Sequence, residues 1–309
     1  MRAEGPKNLA VDLLRPYRAG VVSADTDTQG DALGYAGSAL QAEQGDEKPQ
    51  REFATGITMA KRTGNFRIGT SGYQYDHWRG VLYPEGVPKR RWFETYAETF
   101  DTVEINNTFY NLPKAETFEA WRGRAPTGFR YVLKYSRYGS HMKRLKDPGG
   151  PQGHVARFLE RADRLGECLG PILVQLPPGW NADPERLEAF LDAAPDDHRW
   201  AVEFRDPDWF RDEVWEVLRR HDAALVIHDM LRRHPREVTA DWVYLRFHGP
   251  SDELPYGGTY SPQALSGAAR RVKRHLAEGR DVYAYFNNDA EGHAVRDALA
   301  LRRYVLGEG

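Results

Sequence analysis

The sequence predicts an α/β fold, a TIM-type (β/α)8 barrel of eight parallel strands with outer helices. Three observations carry this. Eight short apolar runs each end in polar or charged residues: RIGTS (67–71), TVEINN (102–107), YVLKYS (131–136), ILVQLP (172–177), WAVEFR (200–205), ALVIHD (224–229), VYLRFHG (243–249) and VYAYFNN (282–288). Helical patterns separate most of these runs, which implies parallel strands joined by crossover helices. The chain has 309 residues, 40% of them hydrophobic, and α/β barrels reach about 250 residues as one unit.

Residues 1–62 stand apart. They scatter Gly, Asp, Gln, Glu and Ala with no sustained period, the composition of a solvated, disordered extension. Met59, just before the first strand, is an alternative start, and the barrel is expected over 63–309. Along the barrel, KRRWFETYAETF (89–100) is amphipathic, and Pro113 is expected to open a second helix through Trp121, as suits a first-turn proline. Later helices are expected at 154–169, 184–194, 208–220, 262–278 and 292–306. The sixth unit is thin, because 230–241 is too short for a full helix and two loops. Two loops are long: the basic 137–153 and the Gly-, Pro- and Tyr-rich 248–261. Such loops often act as lids or binding loops.

Net charge is −2 and the pI near 6.6, so overall charge favours neither nucleic acid nor an anionic membrane. One cysteine, Cys168, allows no internal disulfide, and a cytoplasmic location is the simple expectation. No apolar run approaches the roughly 18 residues of a membrane span. No GxGxxG fingerprint or P-loop lysine occurs, and no cofactor is expected.

Strand alternation locates the chemistry. Helices cover the outer face of a barrel, so apolar residues belong outside and their neighbours inside. Val103, Leu133, Val202, Leu245 and Ala284 therefore point out. Inward at the C-terminal rim come Ser71, Glu104, Asn106, Lys134, Gln175, Glu203, Arg205, Arg246, His248 and Asn287. Strand six is ambiguous; Leu225, Ile227 and Asp229 are taken as inward. Barrels carry their active sites at this rim. Isolated buried charges cost several kcal/mol each unless paired, so a cluster this dense points to function. The structural alternative is internal ion pairing, for example Glu104 with Lys134 and Glu203 with Arg246.

Glu104, Lys134, Glu203 and Asp229 are the catalytic candidates. Lys134 suits a general acid or base, an electrostatic clamp or an imine-forming nucleophile. Clamp or acid ranks first, because the two glutamates oppose the lowered pKa that an imine requires. The substrate-binding candidates are Ser71, Tyr73, Asn106, Arg137, His141, Gln175, Arg205, Arg246, His248 and Asn287. With Lys143, Arg144 and Lys146 they make the mouth positive, suited to phosphate or carboxylate. Tyr73, Tyr75, Phe109 and Tyr110 suit ring stacking or loop packing equally. A divalent metal on Glu104, Glu203, Asp229 and His228 or His248 is a weaker alternative, since interleaved Lys and Arg repel a dication.

At these residues the chain resembles the YecE-like family, domain of unknown function 72. The likeness covers about residues 66–305 and rests on IGTSGYQYDHWRGVLYP, VEINNTFYNLP, the Lys134/Ser136/Arg137/His141 cluster, LGPILVQLPP, AVEFR, VYLRFHG and YAYFNND. It implies a TIM barrel and leaves the reaction open. The expectation is thus an enzyme acting on a small anionic, phosphorylated or nucleotide-like molecule by Glu/Lys acid–base chemistry. The alternatives are a metal-dependent hydrolase or isomerase, and a non-catalytic binder of nucleic acid or a regulatory ligand. No membrane partner is expected.

Overall fold

A computed structural model of the chain describes residues 62–150, 152–250 and 256–307. The expected extension and the alternative start at Met59 lie outside these residues, apart from Arg62. Eight strands form one parallel sheet: β1 (Phe66–Thr70), β2 (Thr102–Ile105), β3 (Arg130–Lys134), β4 (Leu169–Gln175), β5 (Trp200–Glu203), β6 (Ala224–His228), β7 (Trp242–Phe247) and β8 (Asp281–Phe286). Their order is β1-β8-β7-β6-β5-β4-β3-β2.

The β1–β2 seam nearly closes the barrel. Ser71 and Glu104 form a parallel bridge, and the Gly72 amide donates to the Glu104 carbonyl at 2.8 Å. The Tyr96 hydroxyl lies between the two strands, donating to the Thr102 carbonyl and accepting from the Thr70 amide, both at 3.0 Å. A Cβ at Gly69 would sit 2.2 Å from the Thr102 oxygen, so only glycine permits this approach.

The helices are α1 (Trp92–Thr99), α2 (Asn107–Tyr110), α3 (Ala115–Arg124), α4 (His154–Ala162), α5 (Pro184–Asp192), α6 (Asp212–Arg220), α7 (Pro262–Ala277) and α8 (His293–Leu306). Local chemistry sets several ends. Asp183 and Ser261 cap α5 and α7 by accepting from the Arg186 and Ala264 amides, each ahead of a first-turn proline, which satisfies otherwise orphaned donors. Gly307, at φ 75°, ends α8. Other expected bounds shift. Residues 89–91 form a 3-10 turn ahead of α1. The second expected helix starts at Ala115, with Lys114 still extended at its N-cap. The helix expected over 154–169 breaks at Ala162 into a 3-10 stretch in which Gly166 has φ 52°. The segment 208–220 starts late, at Asp212, after a 3-10 turn. No helix joins β6 to β7, as the thin sixth unit foretold.

Two apolar layers follow from strand alternation. Outward residues such as Val103, Leu133, Val174, Val202 and Val282 pack under the helices. Inside, Val132, Leu173, Ala201, Ala224, Val226, Trp242, Tyr244, Tyr283 and Tyr285 form a separate cluster. The barrel is therefore a packed core below its rim.

Strand six reverses the expected register. Leu225 and Ile227 belong to the helix-side core, while Ala224 and Val226 face the interior and His228 is buried beside them. The strand reads ALVIH, apolar on both faces, so alternation carries no signal there. Pairing decides: Val226 is in register with Tyr244 and His228 with Arg246.

Candidate active site at the C-terminal rim

The C-terminal ends of β2, β5 and β7 bring two carboxylates onto one guanidinium. Glu104 is wholly buried, and both its oxygens are saturated. Oε1 accepts from the Ser71 hydroxyl at 2.6 Å and from Arg246 Nη2 at 2.7 Å. Oε2 accepts from the Tyr244 hydroxyl at 2.6 Å and from Arg246 Nε at 2.9 Å. This is the bidentate fork that arginine geometry favours. Arg246 Nη1 reaches on to Glu203 Oε2 at 2.6 Å, and Arg205 Nε donates to Glu203 Oε1. A second Arg205 nitrogen contacts the Met230 sulfur. The two guanidiniums hold the Glu203 carboxyl well below the usual range, despite complete burial. The anticipated Glu203–Arg246 pair is present; Glu104 pairs with Arg246 and not with Lys134.

Lys134 ends β3 and is 9% exposed. Its ammonium donates to Gln175 Oε1 at 2.7 Å and sits 4.5 Å from the centre of the Phe109 ring. No carboxylate lies within ion-pair distance among the described residues. Burial, and next Arg246, lower its pKa from 10.5 to about 7. Glu203 and Glu104 oppose this shift, and Arg205 adds to it. Two positive and two negative neighbours cancel in number, so burial decides.

The histidines here are held neutral. His248 is buried, and desolvation with Arg246 alongside keeps it well below its ordinary value. Asn287 Nδ2 lies 3.1 Å from its Nδ1. His141, against the Phe109 ring edge-on at 4.9 Å, is lowered to about 4 by burial and by Lys134, Arg137 and Arg205. His228 Nδ1 accepts from the Met230 amide at 3.2 Å, so Nε2 donates to the Phe204 carbonyl at 2.9 Å. The positive mouth read from sequence therefore shrinks. Arg205 and Arg246 are neutralised by glutamates, and His141 and His248 carry no charge near neutral pH. Lys143 pairs with Asp147 at 3.4 Å. Arg137 is exposed and has no ion-pair partner among the described residues.

The basic loop is anchored. Residues 138–142 form a π-helical turn, and Leu145 is completely buried. A Cβ at Gly139 would meet the Tyr135 ring at 2.6 Å and His154 Nδ1 at 2.8 Å.

Ser71, Glu104, Lys134, Gln175, Glu203, Arg205, Arg246, His248 and Asn287 thus share one rim, with His141 and Arg137 following β3. Asn106 precedes α2, and its Oδ1 is buried with no partner in the structure. One expected member lies elsewhere, and another has its carboxylate committed beside the rim. The Tyr73 ring packs on Phe93 and Tyr96 in the helix-side core, because the chain turns outward at Gly72, φ 90°. Asp229 lies past the end of β6, and its carboxylate accepts from the His248 amide at 2.8 Å and from the Tyr260 hydroxyl. It braces the β7–α7 loop. Sequence reasoning left out Tyr244 and Tyr260. Tyr244 was legible, since alternation puts it inward. Nothing local to Tyr260 pointed to its role. Of the metal-ligand candidates, Glu104 and Glu203 have their oxygens taken by arginine.

Fold and rim together define a TIM-type barrel protein with a buried ion-pair network and, at the C-terminal mouth, a buried lysine with no carboxylate partner among the described residues. The chain belongs to the family described as "Protein of unknown function DUF72", whose profile matches residues 67–308. It is 35% identical over 131 residues to "UPF0759 protein YecE" of Escherichia coli (strain K12), which is 41% of this chain and 46% of that relative. The match thus spans about half of that relative's length. "UPF0759 protein YunF" of Bacillus subtilis (strain 168) is 24% identical over 265 residues, 74% of this chain and 90% of that protein. A DUF72 family protein from Thermotoga maritima MSB8 superposes with a TM-score of 0.69 at 28% identity, covering 79% of this chain and all of the other. Another from Enterococcus faecalis V583, at 20% identity and TM-score 0.66, shares the fold. No helix among the described residues is long and apolar enough to cross a membrane.

Proposed function

We propose that the protein is an enzyme acting on a small anionic or phosphorylated substrate, nucleotide-like compounds included, with Lys134 as its acid–base group. One observation carries this reading: of Lys134, Arg205 and Arg246, only the lysine lacks a carboxylate partner among the described residues. A group with a pKa of about 7 exchanges protons with little driving force lost either way near neutrality, which suits general acid–base work. Glu104 and Glu203 act as positioning residues in this scheme. Each is committed to arginine, and Glu203 is too acidic to carry a proton at neutral pH. An arriving anion supplies the charge that Lys134 lacks, raises its pKa and draws a proton onto it. Arg137, exposed and unpaired just past β3, is the second cation for such a ligand.

The test is a thermal-shift panel of phosphate monoesters, nucleotides and carboxylates on wild type and Lys134→Met, followed by turnover assays on any hit. Stabilisation should be stronger at pH 6 than at pH 8.5 and clearly diminished in the variant. Changing Lys134 or Arg137 should weaken the hit by about 1–3 kcal/mol. Changing Lys143, already paired to Asp147, or Arg144, stacked on Trp180 at 5.9 Å, should do less. Equal small losses at all four positions would replace this site by a diffuse electrostatic surface, as a nucleic-acid binder would show. Anion stabilisation undiminished in Lys134→Met would end the proposal.

A further inference from the structure

The missing sixth helix leaves a second concavity, on the outer side of the barrel. A cavity of about 350 Å³ opens between the outer faces of β6 and β7, the 229–241 connection and α7. Its floor is apolar, formed by Ile227, Leu245 and Phe247. These outward side chains are only partly buried, whereas Val103, Leu133, Val174, Val202 and Val282, their counterparts on other strands, are sealed under helices. The reason is topological. A crossover helix normally covers this strip, and here twelve or so residues of connection cannot form one.

What surrounds the floor is cationic. Arg236, Arg271 and Arg274 line the cavity, and none has an ion-pair or hydrogen-bond partner among the described residues. Arg271 is half-buried, and desolvation together with Arg236, Arg270 and Arg274 lowers its pKa. The carboxylate in the lining, Asp229, is committed to the His248 amide and the Tyr260 hydroxyl, and like charges gathered with no acid paired to them are unfavourable in the empty protein and become favourable when an anion enters. Two more lining groups are unsatisfied. His234 Nε2 and His275 Nδ1 are buried and have no hydrogen-bond partner. Buried polar atoms without partners are rare and call for an explanation. His275 Nδ1 as a donor would be satisfied by a ligand oxygen, whereas His234, which is neutral and donates through Nδ1 to the Pro235 carbonyl at 2.6 Å, accepts at Nε2 and would be satisfied by a ligand N–H or O–H.

We propose that this cavity is a binding site for a small amphipathic organic anion, a ring-sized apolar body bearing a phosphate, sulfonate or carboxylate group. The body would lie on Ile227, Leu245 and Phe247 and the head group among Arg236, Arg271 and Arg274. The volume is at the lower end for ligand pockets, which run from about 300 to 1,000 Å³, so the body is of one or two rings. The cavity lies against the outer side of the strands that carry His228 and Arg246 inside. His228, Asp229 and Arg246 border it as well, and its apolar floor and three arginines suit a ligand with a larger apolar body than the rim takes.

The test uses 8-anilino-1-naphthalenesulfonate, an apolar aromatic anion that fluoresces when desolvated, with the full chain at neutral pH. Saturable binding with one site is expected, weakening as ionic strength rises. The double variant Arg271→Gln/Arg274→Gln should bind at least tenfold more weakly. The single variant Arg274→Gln, at an exposed helix position, should lose several-fold while keeping its circular dichroism and melting transition. Lys134→Met should bind as wild type does, because its change lies inside the barrel. Binding unaffected by the arginine changes, binding lost in Lys134→Met, or no saturable binding would each overturn the proposal.

Discussion

Replacing Lys134 with methionine should make the ligand-free protein more stable. Methionine keeps the length and apolar contacts of the side chain but removes the ammonium. A pKa lowered from 10.5 to about 7 means that burial penalises the charged lysine by about 4–5 kcal/mol, at 1.36 kcal/mol per unit. Subtracting the lost bond to Gln175, worth about 1–2 kcal/mol, leaves about 2–4 kcal/mol of stabilisation at pH 7. For a barrel of this size, each kcal/mol moves Tm by about 2–4 °C, so the variant should melt roughly 5–15 °C higher. The pH dependence has a definite sign. Below pH 7 the lysine is protonated in both states and its full penalty is present. Between pH 7 and 10.5 the unfolded chain binds more protons than the folded one, so wild-type stability rises with pH. The variant should lack that rise, and the two urea-denaturation curves should converge toward pH 10. A variant less stable than wild type at pH 6–7, or with the same slope, would show that Lys134 is compensated where it sits. The argument for an unpaired functional amine would then fail.

Arg246→Met should do the opposite, because it leaves Glu104 and Glu203 buried without their common partner. A loss of about 3–5 kcal/mol is expected, read by urea denaturation, and a loss under 1 kcal/mol would contradict the network. Asp281, at the N-terminal end of β8, accepts from the Asn65 amide and Arg199 at 2.9 Å and from Arg62 at 3.0 Å, and its pKa is lowered. Its stabilisation is present above pH 4 and lost as pH falls through the lowered value, so Asp281→Asn should cost about 1–3 kcal/mol at pH 7 and progressively less as pH falls below 4. Gly139→Ala must displace the Tyr135 ring or His154 and should cost about 1–3 kcal/mol by thermal melting. A chain begun at Met59 should melt as the full chain does, since every described strand and helix lies within 66–306.

Strand positions were legible wherever the two faces of a strand differ chemically. In β2, β5 and β7 an apolar residue alternates with a charged one, so burial under the helices puts Glu104, Glu203 and Arg246 inside. In β6 both faces are apolar, and only the neighbouring strands settle which side is which. Helix ends were legible where a side chain caps them, as at Asp183 and Ser261. They were not at 89–91 or 163–168, where 3-10 turns replace the expected α-helix and no residue pattern distinguishes the two. Which rim charges pair was outside the reach of sequence. Pairing depends on strand order around the barrel and on side-chain reach, and Arg246 spans both glutamates because its fork has donors on three sides. Tyr73 escaped because one left-handed glycine, Gly72, turns the chain out of the mouth.

The two ends of the barrel use arginine–carboxylate pairing to different effect. At the N-terminal end, Asp281 is met by Arg62, Arg199 and Asn65, and Arg199 lies over the Trp242 ring at 5.6 Å. Here the carboxylate has its partners, as expected of the end of a barrel that serves stability. At the C-terminal end the same kind of pairing neutralises Glu104, Glu203, Arg205 and Arg246, and then one further cation is buried beside them. Stability alone does not account for that lysine, because a buried charge without a partner costs free energy that an apolar residue of similar volume would not. Nor do the ion pairs require it, since they are complete without it. What the network does is surround Lys134 with two charges of each sign, each held by hydrogen bonds to its partner. In the proposed function such a surround leaves the amine poised near pH 7, where an incoming anion would serve as its counterion.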